Sequence, residues 1–500
     1  MQFGVSESIA HWGKYRPNVP ALYSNGVMVS FSELNASVDT LCIHFQSVHD
    51  LPERIGIAVS TKFDFLISLI AILRHGRSVV IVNTGLPVKA IRTTISEAQI
   101  KAIIYDRKYD RIAEMVRGPV EHHIDVRSAL DSSASQVTLA PHALRKHADE
   151  WGVLFSSGTT GVPKGISRDH DSIITELLGW CLELPLSRRD CFYIGRPVFY
   201  TGGLVLSLAT LLVGGSVVLN DFENDDSPQE VWQDYQRTLT AQKISWAFFV
   251  PDQLRAFMRF VKTDGKQPLA AATVLVMGAA IGGQEKVAAH EVLKSEIVES
   301  WGNSESLGTI TDPEDLYVRP CSVGRPFLTD EMCIVDEGCN PVSPGEQGRI
   351  AGGQEGGFQG YCSQPEATAR VRQKDLIVSE DIGYIGEDGY IFVCGRVQDC
   401  VRVHGETIFL SAIESRIRMK FQELDVCIVA NEPKGKDTEI IGVIQRQSQQ
   451  SSDYDDLLRL FNDGAPPSER LDRLVDIDCL PRVPSGKIDR VAIQKLVERS

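Results

Sequence analysis

Apolar and polar positions alternate along the chain in a way that predicts an α/β protein. Residues 31–45 place apolar side chains at helical spacing, and residues 65–73 form a second, more strongly apolar helical segment. Short apolar runs predict buried strands, and many of them end in Gly, Pro or Asp, as strands that lead into functional loops often do. These predicted strands are residues 54–60, 78–82, 102–105, 151–155, 216–219, 246–250 and 274–277.

The pattern changes near residue 395. Beyond it the chain consists of short strands and charged helices, including a predicted helix at residues 410–421. The polar, aperiodic residues 445–456 predict a surface loop. Because a chain of 500 residues is too long for one hydrophobic core, we predict two domains. Residues 1–396 form the large N-terminal domain, and residues 397–500 form a small C-terminal α+β domain.

Composition narrows the function classes. A net charge of −15 argues against broad electrostatic binding of nucleic acid or of an anionic membrane. The longest apolar stretch, residues 204–219, is interrupted by Ser and Gly and falls short of the roughly 18 apolar residues of a membrane span. Eleven cysteines without a CxxC pair are typical of free thiols in a reducing compartment. Since no secretory signal is visible, we predict a cytoplasmic protein.

The strongest chemical feature is a loop rich in Gly, Ser and Thr at residues 155–165, FSSGTTGVPKG. Its glycines let the backbone approach an anion, its hydroxyls and amides can surround phosphate oxygens, and Lys164 supplies a positive charge. The spacing differs from the Walker A pattern, which excludes a P-loop NTPase. On chemistry alone, an ordinary polar turn without a ligand remains an equal alternative.

Residues 156–165 also match, at every position, the pattern [ST]-[SG]-G-T-[ST]-G-x-P-K-G. The segment therefore resembles the nucleotide-binding signature of the adenylate-forming superfamily, which includes acyl-CoA synthetases, adenylation domains and firefly luciferases. The resemblance implies an α/β fold with a large N-terminal domain of two β-sheets with helices plus a β-barrel. A small, mobile α+β C-terminal domain would complete the molecule.

Further segments resemble the same family in the same order along the chain. Residues 301–305 (WGNSE) are similar to Y-G-x-T-E, residues 323–326 (VGRP) and 344–350 (PGEQGRI) resemble the landmarks that follow, and residues 360–368 (GYCSQPEAT) are similar to G-Y-x-x-x-P-E-A-T. Residues 379–381 (SED) stand where the family has T-G-D, so Glu380 replaces a glycine. The resemblance assigns nucleotide binding to Ser156, Ser157, Gly158, Thr159, Thr160, Gly161, Lys164, Trp301, Gly302, Asn303, Asp381 and Arg396.

Within this set the resemblance implies distinct roles. Trp301 would pack on adenine, Ser304 would contact the α-phosphate and Glu305 would help to hold Mg²⁺. Asp381 would bind the ribose hydroxyls as a two-oxygen acceptor, and Arg396 would make a second ribose or phosphate contact.

The end of the chain carries the last family motif. Residues 480–490 (LPRVPSGKIDR) resemble L-P-[RK]-T-x-[ST]-G-K-[IV]-x-R, which places Lys487 at the catalytic lysine. The predicted catalytic residues are therefore Lys487, Glu305 and Ser304. Asp399 would be the hinge between the two domains, and Gly405 would line a channel for the thiol.

The implied reaction uses ATP and Mg²⁺ to form an acyl-AMP from a small carboxylic acid. The acyl group then passes to coenzyme A or to the phosphopantetheine of a separate acyl carrier protein, of which we favour coenzyme A. The predicted substrate pocket contains Phe199, Tyr200, Gly278 and Ala279. Enzymes of this family that activate amino acids carry an Asp at the position of Tyr200, where it pairs with the substrate ammonium. An unpaired ammonium would be costly to bury, so we predict an aliphatic or aryl acid.

Two other functions share these motifs. A luciferase-like oxygenase would carry all of them, and a homologue that has lost catalysis could retain them, with Glu380 as the departure that favours it. A hydrolase or dehydrogenase is poorly supported because G-x-S-x-G, H-E-x-x-H and G-x-G-x-x-G are absent from the sequence.

Overall fold

The computed structural model describes residues 4–24, 26–116, 118–131, 150–155, 164–195, 198–219, 238, 243–264, 272–305, 307–353, 357–421, 424–431, 438–445, 454–482 and 488–498. Its helices are α1 (Val5–Tyr15), α2 (Phe31–Ser47), α3 (Lys62–Arg74), α4 (Val88–Glu97), α5 (Asp110–Met115), α6 (Val126–Asp131), α7 (His170–Glu183), α8 (Thr201–Leu212), α9 (Pro251–Asp264), α10 (Gly283–Leu293), α11 (Asp315–Val318), α12 (Pro365–Val371), α13 (Leu410–Lys420), α14 (Tyr454–Asn462) and α15 (Arg490–Val497).

The strands are β1 (Pro20–Ser24), β2 (Val27–Ser30), β3 (Arg54–Ala58), β4 (Ser78–Ile81), β5 (Ala102–Tyr105), β6 (His122–Asp125), β7 (Glu150–Phe155), β8 (Gly165–Asp169), β9 (Cys191–Ile194), β10 (Ser216–Val218), β11 (Trp246–Phe249), β12 (Thr273–Met277), β13 (Ile297–Ser300), β14 (Thr309–Ile310), β15 (Arg325–Pro326), β16 (Met332–Val335), β17 (Gly348–Gly353), β18 (Phe358–Tyr361), β19 (Arg372–Gln373), β20 (Leu376–Ile385), β21 (Ile391–Arg396), β22 (Cys400–Val403), β23 (Glu406–Phe409), β24 (Val426–Asn431), β25 (Glu439–Gln445) and β26 (Arg473–Ile477). They confirm every helix and strand that the apolar pattern predicts, with ends that differ by a few residues.

Two sheets form the layers of the large part of the chain. The first has the strand order β13-β12-β11-β9-β10-β1-β2, and all of its neighbours are parallel except β1 and β2. The second has the order β18-β8-β7-β4-β3-β5-β6. Its strands from β7 to β6 are parallel, β8 is antiparallel to β7, and β18 is antiparallel to β8. Parallel strands need helical crossovers, which accounts for the alternation of helices and strands in the sequence.

The main apolar core joins these two sheets. Helices α3 and α8 supply much of it, since nearly all of their residues are buried. The long apolar stretch at residues 204–219 is therefore a buried helix followed by the interior strand β10. Among the described helices, none combines the length and the apolar character needed to cross a membrane. All eleven cysteines are free, as the sequence predicts.

A third sheet is antiparallel and contains β16, β17, β20, β19 and β21. It corresponds to the part of the fold for which the family resemblance predicts a β-barrel. Its longest strand is β20, which pairs with β17, β19 and β21. This strand carries Glu380 and Asp381.

Beyond Arg396 the chain forms a separate set of elements. Strands β24, β25 and β26 make a small sheet, and α13, α14 and α15 pack on it. Within the described residues, no apolar cluster contains side chains from both sides of Arg396. Contact at the junction is close, because a Cβ at Gly395 would lie 2.7 Å from Cδ1 of Phe409.

Candidate active site

The carboxyl ends of neighbouring strands of the first sheet bring two predicted sites to one edge. Strands β9, β12 and β13 are parallel and belong to one continuous run. The segment after β9 leads to Phe199 and Tyr200, β12 is followed by Gly278 and Ala279, and β13 is followed by Trp301. Ligands of open α/β sheets bind outside the carboxyl ends of the strands. The predicted acid pocket and the 301–305 segment therefore share an edge.

The segments that carry the predicted acid-pocket residues pack closely against each other at this edge. The rings of Phe199 and Tyr200 lie with their centroids 4.8 Å apart. A Cβ at Gly202 would stand 2.8 Å from Cε of Met277, so the beginning of α8 lies directly against the end of β12. The next residue, Gly278, has a φ of +99°, a turn conformation that side chains other than glycine rarely adopt, and it is exposed together with Ala279. The structure thus brings the predicted pocket segments together.

The 301–305 segment is the start of a loop closed by hydrogen bonds. The backbone N–H of Thr309 donates to the carbonyl of Trp301 at 2.8 Å, and the N–H of Asn303 donates to the carbonyl of Leu307 at 3.0 Å. The side-chain oxygen of Asn303 accepts from the N–H of Leu307 at 2.9 Å. Asn303 therefore shapes the loop, whereas Trp301 packs half-buried against an apolar cluster below it. Gly302 is exposed and Ser304 is half-buried.

A carboxyl group that the sequence analysis missed supports this loop from below. Oδ2 of Asp330 accepts a hydrogen bond from the N–H of Gly308 at 2.8 Å. Burial, with a smaller contribution from Glu176, raises the pKa of Asp330 to about 6 against the lowering effects of the hydrogen bonds from Gly308 and Thr329 and of the charge on Arg168. No sequence motif surrounds Asp330, so its contact with the loop is visible only in three dimensions.

The two sheets meet at Glu305. Its Oε1 accepts a hydrogen bond of 2.6 Å from the hydroxyl of Tyr361, which lies on β18 of the second sheet. The ammonium of Lys164 stands 4.9 Å from the centroid of the Tyr361 ring. Lys164 directly precedes β8, and β8 pairs with β18 so that Ile166 lies opposite Tyr361. The predicted phosphate and magnesium residues are thus neighbours through a tyrosine to which the sequence analysis assigned no role.

The third sheet supplies the predicted ribose residues. Asp381 on β20 is 6% exposed, and its Oδ1 accepts a hydrogen bond from Nε of Arg396 at 3.1 Å. The two residues face each other across the pair of strands β20 and β21. Glu380 is exposed and its backbone lies outside the left-handed region, so the position does not require the family's glycine. The departure at Glu380 leaves the Asp381–Arg396 pair intact.

The remaining predicted residues are either outside the described residues or lie beyond Arg396. Ser156, Ser157, Gly158, Thr159, Thr160, Gly161 and Lys487 are outside the described residues. The predicted hinge, Asp399, follows β21 and lies 3.6 Å from Nε of Arg490. Gly405, the predicted channel residue, is exposed in the turn between β22 and β23 with a φ of +87°.

Within the described residues, an ion pair joins the two parts of the chain. Nη1 of Arg482 lies 2.6 Å from Oδ2 of Asp252 in α9, and its Nη2 lies 3.3 Å from Oδ2 of Asp425. Arg255 also pairs with Asp252 at 2.7 Å. Arg482 belongs to the described part of the 480–490 segment, which this contact ties to the large part of the molecule.

Known proteins match most of the length of the chain. The model of a family described as AMP-binding enzyme matches residues 9–362. The chain is 24% identical to 2-succinylbenzoate–CoA ligase of Geobacillus kaustophilus over 355 residues, which cover 70% of the chain and 69% of that protein. It is also 24% identical to tyrocidine synthase 2 of Brevibacillus parabrevis over 500 residues, which cover 96% of the chain. The chain spans only 13% of the length of that relative.

A solved structure has the same fold along nearly the whole chain. The o-succinylbenzoate CoA synthetase of Bacillus subtilis, in complex with the acyl-adenylate intermediate OSB-AMP, superposes with a TM-score of 0.85. The match covers 97% of both chains at 19% identity. At this identity the likeness establishes the fold, in which a large N-terminal domain is followed by a small C-terminal one.

Proposed function

Because the chain belongs to the AMP-binding enzyme family, we propose that it uses ATP to activate a carboxylic acid as an acyl-AMP and then transfers the acyl group to coenzyme A. The observation that carries this proposal is the meeting of Glu305, Tyr361 and Lys164 at the junction of the two sheets. It brings one carboxylate close to Lys164, the described residue at the end of the segment whose sequence fits a phosphate cradle. The similar 2-succinylbenzoate–CoA ligase supports coenzyme A as the acceptor.

The nucleotide is assigned to the residues around this junction. Lys164 and the loop formed by Ser156, Ser157, Gly158, Thr159, Thr160 and Gly161 would hold the β- and γ-phosphates. Asp381 would accept from the ribose hydroxyls while Arg396 holds its carboxylate in place. Trp301 would offer its ring to adenine beside Gly302 and Asn303, and Ser304 would donate to the α-phosphate. These groups position ATP and neutralise its charge.

Magnesium fits the donors present. Among the described residues no three His, Cys, Asp or Glu side chains are grouped as a metal site. Mg²⁺ usually keeps several waters and binds through one or two carboxylates together with substrate phosphates. A single carboxylate at Glu305 therefore suits an ion that arrives with ATP. When bound, Mg²⁺ would neutralise phosphate charge, and the protein's part is to hold the Glu305 carboxylate at the correct place.

Catalysis of the first step falls to Lys487. The substrate carboxylate attacks the α-phosphorus of ATP, the bond to pyrophosphate breaks, and acyl-AMP forms. The Lys487 ammonium would stabilise the negative charge that builds at the α-phosphate. In the second step a thiol attacks the acyl carbonyl, and AMP leaves with one oxygen that came from the acid.

Two domains at residues 1–396 and 397–500 suit such a division of work. The separation of apolar clusters at Arg396 supports this boundary. A small domain whose described apolar clusters are separate from those of the large one can rotate without exposing them. Asp399 would act as the hinge, and rotation would replace Lys487 by Gly405 beside the thiol.

The acid is proposed to be aliphatic or aryl, without an α-amino group. The pocket edge presents Phe199, Tyr200, Gly278 and Ala279, so an ammonium would find no carboxylate at position 200. The hydroxyl of Tyr200 can donate to a neutral or anionic substrate group but cannot replace a carboxylate as the partner of a cation. A separate acyl carrier protein is the alternative acceptor, because its phosphopantetheine presents the same thiol.

The test measures pyrophosphate release from ATP and Mg²⁺ with a panel of aliphatic, aryl and amino acids, in the presence of hydroxylamine to trap acyl-AMP. We expect release with one class of acid and a loss of about 100-fold or more in Lys487→Ala, as is typical when a transition-state charge partner is removed. Lys495→Ala, at an exposed position of α15, is the matched control and should behave as wild type. Release with no acid of the panel would overturn the proposal. Adding coenzyme A or a phosphopantetheinylated carrier then identifies the acceptor.

A further inference from the structure

We propose that Tyr361 is a positioning residue that holds the Glu305 carboxylate for magnesium with its hydroxyl and separates it from the Lys164 ammonium with its ring. The proposal rests on the function proposed above, because it assigns Glu305 to magnesium and Lys164 to phosphate. It goes further by naming the residue that keeps these two charges in place before the nucleotide binds.

The first part of the argument is the hydrogen bond. The hydroxyl of Tyr361 donates to Oε1 of Glu305 at 2.6 Å, a short distance typical of a donor to an ionised acceptor. Such a bond removes rotamer freedom from a half-exposed glutamate. A carboxylate already held in one orientation binds an ion without the cost of ordering, which is the general benefit of a preorganised site.

The second part is the placement of the ring. The Lys164 ammonium stands 4.9 Å from the ring centroid, within the range of a cation–π contact. The same ring therefore has Glu305 at its hydroxyl end and Lys164 over its face. A direct ion pair between Glu305 and Lys164 would neutralise both the carboxylate that magnesium needs and the ammonium that the phosphates need. In the proposed role, the ring gives Lys164 a neutral contact and leaves the charge of Glu305 for magnesium.

The third part is that Tyr361 itself is well fixed. It is 7% exposed, and its ring packs edge-to-face on Phe358 with centroids 5.0 Å apart. Its backbone N–H donates to Oγ1 of Thr368 at 2.9 Å, and its strand pairs with β8. A rigid donor positions its acceptor more accurately than a mobile one.

A purely structural tyrosine makes a different prediction. If Tyr361 only filled the core, Tyr361→Phe would preserve the ring, the packing on Phe358 and the contact with Lys164, and nothing else would change. If the hydroxyl positions Glu305, the same substitution alters the response to magnesium alone. The variant is therefore conservative enough to fold and still separates the two roles.

The experiment measures ATP affinity by calorimetry with Mg²⁺ and with EDTA. In wild type we expect magnesium to tighten ATP binding. In Tyr361→Phe that gain should shrink about tenfold, the value of one hydrogen bond to a charged group, while affinity in EDTA stays unchanged. Glu305→Gln should remove the gain, and adding Tyr361→Phe to it should cause no further loss. Pyrophosphate release by Tyr361→Phe should recover as magnesium is raised.

Tyr384→Phe is the matched control, because Tyr384 stacks on Phe392 in the third sheet, with centroids 4.8 Å apart. It should retain the wild-type magnesium gain. A wild-type gain in Tyr361→Phe would overturn the role of Tyr361 and leave the proposed function standing. A wild-type protein whose ATP affinity does not respond to magnesium would instead overturn the proposed function itself. Both results are read from binding and do not depend on finding the acid.

Discussion

The two ends of the proposed nucleotide site hold their carboxylates in opposite ways. At the ribose end, Asp381 is buried and accepts from the guanidinium of Arg396. At the phosphate end, Glu305 is half-exposed and accepts from the neutral hydroxyl of Tyr361. The Arg396 donor at Asp381 carries a charge, whereas the Tyr361 donor at Glu305 is neutral.

The difference follows the partner that each carboxylate is proposed to bind. Ribose hydroxyls are neutral, so Asp381 needs its lone pairs but can have its charge compensated. Mg²⁺ binds a hard anionic oxygen, so compensation of Glu305 by a cation would weaken the site. A neutral donor fixes Glu305 and leaves its charge for the ion. The predictions below test this distinction between the two ends.

The largest effect is expected at the phosphate end. Glu305→Gln retains an oxygen that accepts from Tyr361 but removes the charge, and pyrophosphate release should fall by about 100-fold or more. Excess magnesium should recover little of the activity, because the missing element is an anionic ligand. Initial rates over a magnesium series check this. Near-normal activity in the variant would show that the charge of Glu305 is dispensable and would remove the basis of the comparison.

At the ribose end, the loss should appear in binding. Asp381→Asn leaves one acceptor oxygen but turns a donor group toward Arg396, so the apparent KM for ATP should rise by about tenfold to 100-fold. The response to magnesium should remain that of wild type. Asp375→Asn, at an exposed position just before β20, serves as the control. An altered magnesium response in Asp381→Asn would mean that the two ends are not independent.

A smaller effect is expected at the contact between the two parts of the chain. Arg482 and its partner Asp252 are each about one-third exposed, at 32% and 33%, so the pair contributes at most about 1 kcal/mol. Arg482→Gln should change the ratio of adenylation to thioester formation by about two- to fivefold, an effect of that size. High salt should reduce the difference. If the ratio is the same in both proteins at low salt, the ion pair has no part in domain placement.

The smallest effect concerns the acid below the 301–305 loop. Because burial raises the pKa of Asp330 to about 6, ionisation costs the folded protein stability above that pH. As pH falls through 6 towards the ordinary value of 3.8, the folded state takes up the proton first and the cost disappears. Asp330→Asn should therefore be more stable than wild type at about pH 8 by on the order of 1 kcal/mol.

At about pH 4 the stability advantage of Asp330→Asn should be largely lost, because the carboxyl is then protonated in the folded protein and close to its ordinary pKa of 3.8 in the unfolded chain. Urea unfolding at both pH values measures the difference. An advantage that is constant with pH would contradict the raised pKa of Asp330. The ATP affinity of the variant should stay close to that of wild type, since Asn retains an acceptor for the N–H of Gly308.

Much of the fold could be predicted because its signals are local. Strands β4 and β5 are short apolar runs rich in β-branched residues, and both become interior strands of the second sheet. Helix α2 begins at Ser30, whose hydroxyl accepts from the N–H of Glu33 in a capping box. Each signal is complete within a few residues.

The supporting contacts of the site could not be predicted in the same way. Tyr361 lies on the second sheet and Glu305, 56 positions away, in the loop after β13 of the first sheet, so their hydrogen bond depends on how the sheets pack. The segment 360–368 was visible as a motif, but nothing in it identifies the partner of the tyrosine. Asp330 and Arg482 act through backbone or ion-pair contacts with residues distant in sequence. Glu380 stands where the family has a glycine, yet its position is exposed and its backbone lies outside the left-handed region.

The most direct test of the account follows an oxygen atom. With the active acid labelled by ¹⁸O at both carboxylate oxygens, the enzyme is given ATP, Mg²⁺ and coenzyme A, and AMP is analysed by mass spectrometry. Attack of the carboxylate on the α-phosphorus, followed by thiol attack on the carbonyl, predicts AMP that carries one labelled oxygen. Unlabelled AMP, or label found in inorganic phosphate beside ADP, would contradict activation through an acyl-AMP.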